Sequence, residues 1–256
     1  MRRTVVLLVL ALLTSLALMP SATAITYGEV DGNRHPQVGA LLAQQAYPDG
    51  TWAICTGTLI SSTVFLTAAH CDDGVSRVAV TFDSDYDSQK GTTYWGTWHA
   101  DPNYNQAQSD PHDLAVVIFD RPIKGITPAR LPRAGSLSGL TGSQKFTSVG
   151  YGAETVTNGP GGKTYTYTDI RRMSIGTLNT LTSAWLKISQ NPSTGNGGTC
   201  YGDSGGPNFL GAGSTETNII AATTITGDTP CRSTNVTYRL DTPSARSFIG
   251  QYVTLP

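Results

Sequence analysis

The residues best equipped for chemistry lie together in Gly202-Asp203-Ser204-Gly205-Gly206-Pro207, with Cys200 just before them. Glycines set around one serine fit neither a helix nor a strand interior, where each costs about 0.5–1 kcal/mol relative to alanine. They fit a strained turn in which backbone N–H groups converge beside a hydroxyl, the arrangement that stabilises a developing oxyanion. The plain alternative is a flexible Gly/Ser turn, so the segment needs partners. Histidine is scarce, with four in 256 residues. His70 sits in Leu66-Thr67-Ala68-Ala69-His70-Cys71, at the end of an apolar run, where small neighbours leave the ring room to turn. A disulfide at Cys71 would anchor the backbone that aims the imidazole. His35, His99 and His112 lie in polar, Pro- or Asp-containing segments and read as solvated or structural. Among the acids, Asp113 heads the apolar run Leu114–Phe119, which must be interior. An isolated buried charge is very expensive, so that carboxylate needs a partner, and an imidazole N–H is one. Serine, histidine and aspartate then supply nucleophile, base and orienter. Asp72, Asp73, Asp110 and Asp120 read as surface or turn acids.

Elements that could position such groups are legible as short runs between turn clusters. Val38–Leu42, Thr56–Leu66, Val75–Phe82, Leu114–Phe119, Lys145–Tyr151, Ala184–Ile188, Ile219–Ile225 and Val236–Leu240 are rich in β-branched or aromatic residues. Their spacing predicts an antiparallel all-β protein, a sandwich or a barrel. Residues 136–142 and 158–163 read as turn-rich loops. The one helix of note is predicted at the end of the chain. There Thr242-Pro243 offers a cap and a first-turn proline, and Ala245, Phe248, Ile249 and Tyr252 form an apolar stripe.

The N-terminus adds a compartment. Met1-Arg2-Arg3, an apolar run from Val5 to Met19, and Pro20 followed by Ala22-Thr23-Ala24 read as a secretory signal peptide over residues 1–24. That core is shorter than the ~20 residues a membrane-crossing helix needs, so residues 25–256 are expected outside the cell and free of the membrane. With Arg2 and Arg3 removed, 15 basic residues face 18 acidic ones, and no basic stripe suggests nucleic acid. The four cysteines all follow the leader. An even count in an exported chain reads as two disulfides, with three pairings open.

At this point a resemblance becomes specific. Thr67-Ala68-Ala69-His70-Cys71, His112-Asp113-Leu114-Ala115 and Gly202–Pro207 resemble, in order, the three signature segments of the chymotrypsin/trypsin family of secreted serine proteases. Weaker echoes are residues 55–61, Leu131-Pro132, Val149-Gly150-Tyr151-Gly152 and the terminal helix. The short, four-cysteine form looks bacterial. The resemblance implies two six-stranded antiparallel β-barrels and a C-terminal helix in one protease domain over 25–256, divided near 130–140. It implies a monomer that cleaves protein or peptide substrates with Ser204, His70 and Asp113, and an oxyanion hole from the N–H groups of Gly202 and Ser204. It also implies the bridges Cys55–Cys71 and Cys200–Cys231. A secreted binding protein that keeps the fold without catalysis is the rival from another class.

Further sites follow from the same resemblance. Signal cleavage would place Ile25-Thr26-Tyr27-Gly28 at the N-terminus, where the family has Ile-Val-Gly-Gly, so the Ile25 amine is expected to pair with Asp203. Thr26 and Tyr27 depart from that pattern. Gly198, Thr199 and Gly227 are expected to form the specificity pocket, with Asn235 or Val236 as the further pocket position. Gly198 stands at the base, where trypsin-like cleavage after Lys or Arg needs an acid, so a neutral pocket for apolar side chains is expected; Asp228 would add acidity if its loop turns inward. Asp83, Asp85 and Asp87 alternate in a loop where some family members hold calcium. No closing bidentate glutamate follows them, so a solvated acidic loop is the stronger reading and no metal is expected. Asn235-Val236-Thr237 fits a glycosylation sequon, although a pocket-side location argues against its use.

Overall fold

The computed structural model describes residues 25–256; the expected signal peptide lies outside the described residues. After a short strand β1 (Glu29–Val30), six strands build the first barrel: β2 (Val38–Leu42), β3 (Ala53–Leu59), β4 (Val64–Thr67), β5 (Arg77–Thr81), β6 (Tyr94–Ala100) and β7 (Ala115–Phe119). They close in the order β2-β3-β4-β7-β6-β5, all antiparallel. The expected single run Thr56–Leu66 is two strands. Ser61-Ser62-Thr63 interrupts it, with the Val64 N–H returning to the Ser61 carbonyl at 3.4 Å and the Thr63 N–H donating to Ser61 Oγ at 3.3 Å. Short hydroxyl side chains favour such turns over a continued ladder. Phe65, Phe82, Tyr94 and Phe119 meet edge-on or tilted at the centre of this barrel.

The second barrel follows a connection over residues 120–144. Its strands are β8 (Lys145–Gly150), β11 (Arg172–Leu181), β12 (Trp185–Ser189), β13 (Pro207–Leu210), β14 (Ile220–Gly227) and β15 (Thr234–Arg239). The sheet runs β11-β12-β15-β14-β13-β8, and β8 pairs back onto β11 to close it, while β1 adds to the outer side of β11. Between β8 and β11 a separate hairpin stands out, β9 (Thr155–Gly159) with β10 (Gly162–Thr166). The loop expected at 158–163 is the tip of that hairpin. The terminal helix α1 (Pro243–Ile249) forms as expected. Thr242 Oγ1 accepts the Ala245 N–H at 3.3 Å, and Ala245, Phe248 and Ile249 are buried. Tyr252 lies beyond the helix and meets the Phe248 ring edge-on.

A fully buried cation joins the N-terminal segment to both barrels. The Arg171 guanidinium, just before β11, pairs with Asp31 at 2.8 Å and donates to the carbonyls of Val38, Phe82 and Gly32, each at 2.9 Å. Such a pair is tolerable in the interior because each of the three guanidinium nitrogens has an acceptor. His35 belongs to the same group. It is buried, bonded to Asp31 through Nδ1 and to Glu216 through Nε2 at 2.7 Å, so it is structural rather than solvated. Burial opposes its charge, but the two carboxylates outweigh burial and raise its pKa. His112 pairs with Asp101, and His99 packs against Tyr252.

Candidate active site

The first barrel supplies two of the three predicted groups. β4 ends at Thr67, and the chain turns through a single 3-10 turn, Ala69–Cys71, that carries His70. Asp113 lies two residues before the start of β7 and is fully buried. Its carboxylate accepts twice from the histidine: Oδ2 from the ring Nδ1–H at 2.8 Å and Oδ1 from the backbone N–H at 3.0 Å. This double contact fixes the ring's plane and puts the proton on Nδ1, leaving Nε2 free to accept one. The approach to Asp113 is strained, since the preceding His112 adopts φ 53°.

The second barrel supplies Ser204 on the turn that leads into β13. Gly202 has φ 94° and Gly205 φ 80°, backbone conformations that glycine alone adopts without penalty. A side chain on Gly205 would also collide with Thr67 Oγ1 and the Thr56 carbonyl. Among the described residues, no acceptor is recorded for the N–H groups of Gly202 and Ser204. They flank Asp203, whose own N–H goes to the Cys200 carbonyl at 3.1 Å. Two free donors beside a serine hydroxyl are what an oxyanion hole requires. No Ser204–His70 hydrogen bond is recorded, but the two side chains line the same two cavities. Such contacts are commonly long before substrate binds.

One residue that carried no signal of its own aligns the two halves. Thr56 of β3 donates its N–H to the Ser204 carbonyl at 2.8 Å and its hydroxyl to the Gly202 carbonyl at 3.0 Å. The same hydroxyl accepts the Tyr151 N–H at 3.1 Å. The first barrel therefore grips the serine turn of the second at both ends of its reactive stretch. Cys55–Cys71 ties β3 to the histidine's turn, and Cys200–Cys231 ties the serine's approach to the segment after β14.

Two cavities open at Ser204. The larger, ≈ 680 Å³, runs past Tyr47, Asp49, Ile54, Tyr167 and Tyr201. The smaller, ≈ 290 Å³, is walled by Thr199–Tyr201 on one side and Thr224–Asp228 with Cys231 on the other. Thr199 and Gly227 thus stand where the pocket was expected. Gly198 does not line it, which corrects the expected base. A side chain on Gly198 would run into that of Gln190, which is fully buried and occupies the space instead. The walls also carry three threonines and the Asp228 carboxylate, so they are less apolar than expected. Burial works to raise Asp228, but backbone N–H groups of Thr234, Arg232 and Ser233 outweigh it and hold the carboxyl below its usual range. Asn235 pairs with Gly227 across β14 and β15. Complete burial, with its amide turned to Asn208 and Thr224, leaves the sequon no room for a glycan.

The remaining expectations divide. Asp203 is fully buried and accepts from the N–H groups of Gly152 and Cys200, each at 2.8 Å. Burial pushes its pKa up to about 7, against those two hydrogen bonds. Among the described residues no cation is recorded against it, and Ile25, though buried, is not recorded as its partner. Thr26 does bridge to Gly198, donating through Oγ1 to the Cys231 carbonyl at 2.6 Å, so the N-terminal segment reaches the pocket's outer wall. Among the described residues Asp83, Asp85 and Asp87 do not form one compact group of carboxylate oxygens. Asp83 accepts the Thr92 N–H at 2.6 Å and Asp87 the Gln89 N–H at 2.8 Å, so each serves its own turn. Among the described residues the one compact group of metal-ligand types is Cys55, His70 and Cys71, and its sulfurs are spent in a disulfide. No described helix is long and apolar enough to cross a membrane.

Comparison with known proteins agrees with this geometry. The sequence profile of the trypsin family matches residues 29–248. Vitamin K-dependent protein C of Mus musculus is 30% identical over 173 residues, 60% of this chain and 36% of that protein. Trypsin, alkaline C, of Manduca sexta is 31% identical over 172 residues, 60% of this chain and 63% of that protein. The matches therefore span less than two thirds of either relative. They are animal proteins and lend no support to a bacterial form. A solved structure of HBP at atomic resolution superposes with a TM-score of 0.67 at 18% identity, over 90% of this chain and 96% of that one, a likeness of fold.

Proposed function

The chain belongs to the trypsin family, and from that premise we propose that residues 25–256 are a secreted serine endopeptidase acting on protein or peptide substrates. The observation that carries the reading is the buried Asp113 carboxylate holding His70 from two sides, beside a serine whose own N–H and that of Gly202 are free. Ser204 Oγ attacks the scissile carbonyl while His70 Nε2 takes its proton. The imidazolium so formed is stabilised by Asp113 and returns the proton to the leaving amine. Water then attacks the acyl-enzyme with His70 again as base, and the acid product leaves. The N–H groups of Gly202 and Ser204 hold the oxyanion, each donor being worth about 100- to 1,000-fold in rate.

Activation follows signal cleavage: the Ile25 amine pairs with Asp203, which otherwise remains a buried carboxyl without a cation. Gly198 lies outside the pocket, and the space beside it is filled by the neutral Gln190 side chain rather than an acid, which argues against the charge pairing by which trypsin takes Lys or Arg. Asp228 on the pocket wall is the observation that favours basic residues as a second reading. The test is hydrolysis of a denatured protein by purified 25–256 and its Ser204→Ala variant. Turnover is expected to fall on the order of a million-fold in the variant. Absence of turnover in a folded parent would point instead to a secreted binding protein of the same fold.

A further inference from the structure

Two cavities meet at Ser204, and the smaller accounts for only half of a bound substrate. They share His70, Tyr201 and Ser204 and then diverge. The smaller continues into the second barrel along β14. The larger, ≈ 680 Å³, runs along residues drawn from 47–55 of the first barrel and along Cys71, Asp72 and Asp73. Those last three follow His70 directly, and His70 is the group that returns a proton to the leaving amine. The part of the substrate after the scissile bond therefore departs over the larger cavity. Three carboxylates line that cavity, those of Asp49, Asp72 and Asp73, and no lysine or arginine does. None of the three enters an ion pair among the described residues. Asp49 accepts from the Thr51 hydroxyl at 2.7 Å and from its N–H at 3.1 Å, bonds that lower its pKa and keep it ionised. Asp72 gives one oxygen to the Gly74 N–H at 2.8 Å, and Asp73 one to the Gln44 amide at 3.3 Å. The second oxygen of each has no recorded partner among the described residues. Tyr47 and Tyr201, 45% and 51% exposed, bring two rings to the same cavity. Burial, and then the carboxylates of Asp73 and Asp49, hold the Tyr47 hydroxyl above its usual range. Both acids thus act where Tyr47 stands, and a positive charge there is favoured.

We propose that the larger cavity is a leaving-side subsite for a cation, formed by Asp49, Asp72 and Asp73 with the rings of Tyr47 and Tyr201. The inference rests on the endopeptidase reading and names its substrate class: peptides with Lys or Arg at the first or second position after the scissile bond. What makes these acids a site is the nucleophile they adjoin, because a peptide that acylates Ser204 must carry its leaving half past them. A single exposed ion pair changes affinity by about fivefold at most. The preference therefore comes from three charges acting together and from aromatic faces, which attract a cation in their own right. Charges at an open rim are screened by salt, so the preference fades as ionic strength rises.

The test uses peptides identical up to the scissile bond, with Arg or its neutral isostere citrulline at the first or the second position after it. They are assayed on mature 25–256 and on the double variant Asp72→Asn with Asp73→Asn, with active sites counted by an organophosphonate. A methyl ester, which leaves as methanol and puts nothing in the larger cavity, normalises each protein for damage at the triad. At about 0.01 M salt the parent is expected to favour Arg by about tenfold in kcat/KM at one of the two positions. That ratio should fall to about threefold or less at about 1 M salt, and likewise in the double variant at low salt. A titrated parent with an Arg-to-citrulline ratio near one at both positions overturns the proposal alone, as does a preference unchanged by salt or by the two substitutions. If the variant fails to fold, the parent's ratios and their salt dependence decide. No titration and no hydrolysis of ester or peptide overturns the endopeptidase reading and this proposal with it.

Discussion

Asp113 shows how a single residue's position carries chemistry: one carboxylate, fully buried at the start of a strand, spends both oxygens on one histidine. Thr56 works on the serine side through three hydrogen bonds. Thr56→Val keeps the shape but leaves the Tyr151 N–H and the Gly202 carbonyl without their hydroxyl, a loss of about 1–3 kcal/mol in stability. The turn that holds Gly202 and Ser204 would also loosen, so kcat is expected to fall by about tenfold or more with little change in KM. Thr56→Ser should restore both, as measured by urea unfolding and steady-state kinetics. Ser204, His70 and Asp113 were legible because each sits in a local pattern that makes little sense otherwise. Thr56 and Arg171 were not, because their partners are far away in sequence. An ordinary threonine in a strand run announces nothing until the residue some 150 positions later is beside it.

At the scale of elements, the apolar runs mapped well because buried strands must be apolar on at least one face. β6 escaped notice since its outward residues include Trp95, His99 and other polar or exposed positions around Gly96. The hairpin β9–β10 escaped because its Thr, Asn and Gly content reads as loop, and it is largely exposed. The helix was legible from its cap, its first-turn proline and its apolar stripe. The disulfide Cys200–Cys231 spans 31 residues and joins the two pocket walls. Replacing both cysteines with alanine should cost about 3–4 kcal/mol by loop-closure entropy. It should also lower kcat/KM under conditions where the protein is still fully folded, because the pocket walls are released. Equilibrium unfolding in urea and assays well below the transition separate the two effects. A variant that loses stability but keeps kcat/KM would assign the bridge to the fold alone.

For the whole molecule, the paired barrels place a histidine from one and a serine from the other at a shared cleft, and the proposed control is the N-terminus. Asp203 without a cation has its pKa pushed up to about 7, whereas unfolded it titrates near 3.9. Its neutral form is thus favoured in the fold, so stability drops as pH rises from about 4 to about 7, by on the order of 4 kcal/mol. An Ile25 amine in contact with the carboxylate removes that penalty until the amine itself loses its proton, above its raised pKa. A protein with one extra residue before Ile25 should therefore be nearly inactive and melt roughly 10 °C below the mature form at pH 7.5, with the gap closing near pH 4. A gap that is the same at both pH values would separate Asp203 from activation.

The central claim, that Ser204 is an activated nucleophile in a working site, is tested most directly by covalent labelling. Mature 25–256 treated with a peptidyl organophosphonate should gain one adduct per chain, mapped by mass spectrometry to Ser204, and lose all hydrolytic activity in step. His70→Ala should slow the labelling by about a thousandfold or more. A folded, mature protein that hydrolyses its substrates while Ser204 remains unmodified, or that takes the label equally fast without His70, would contradict the account.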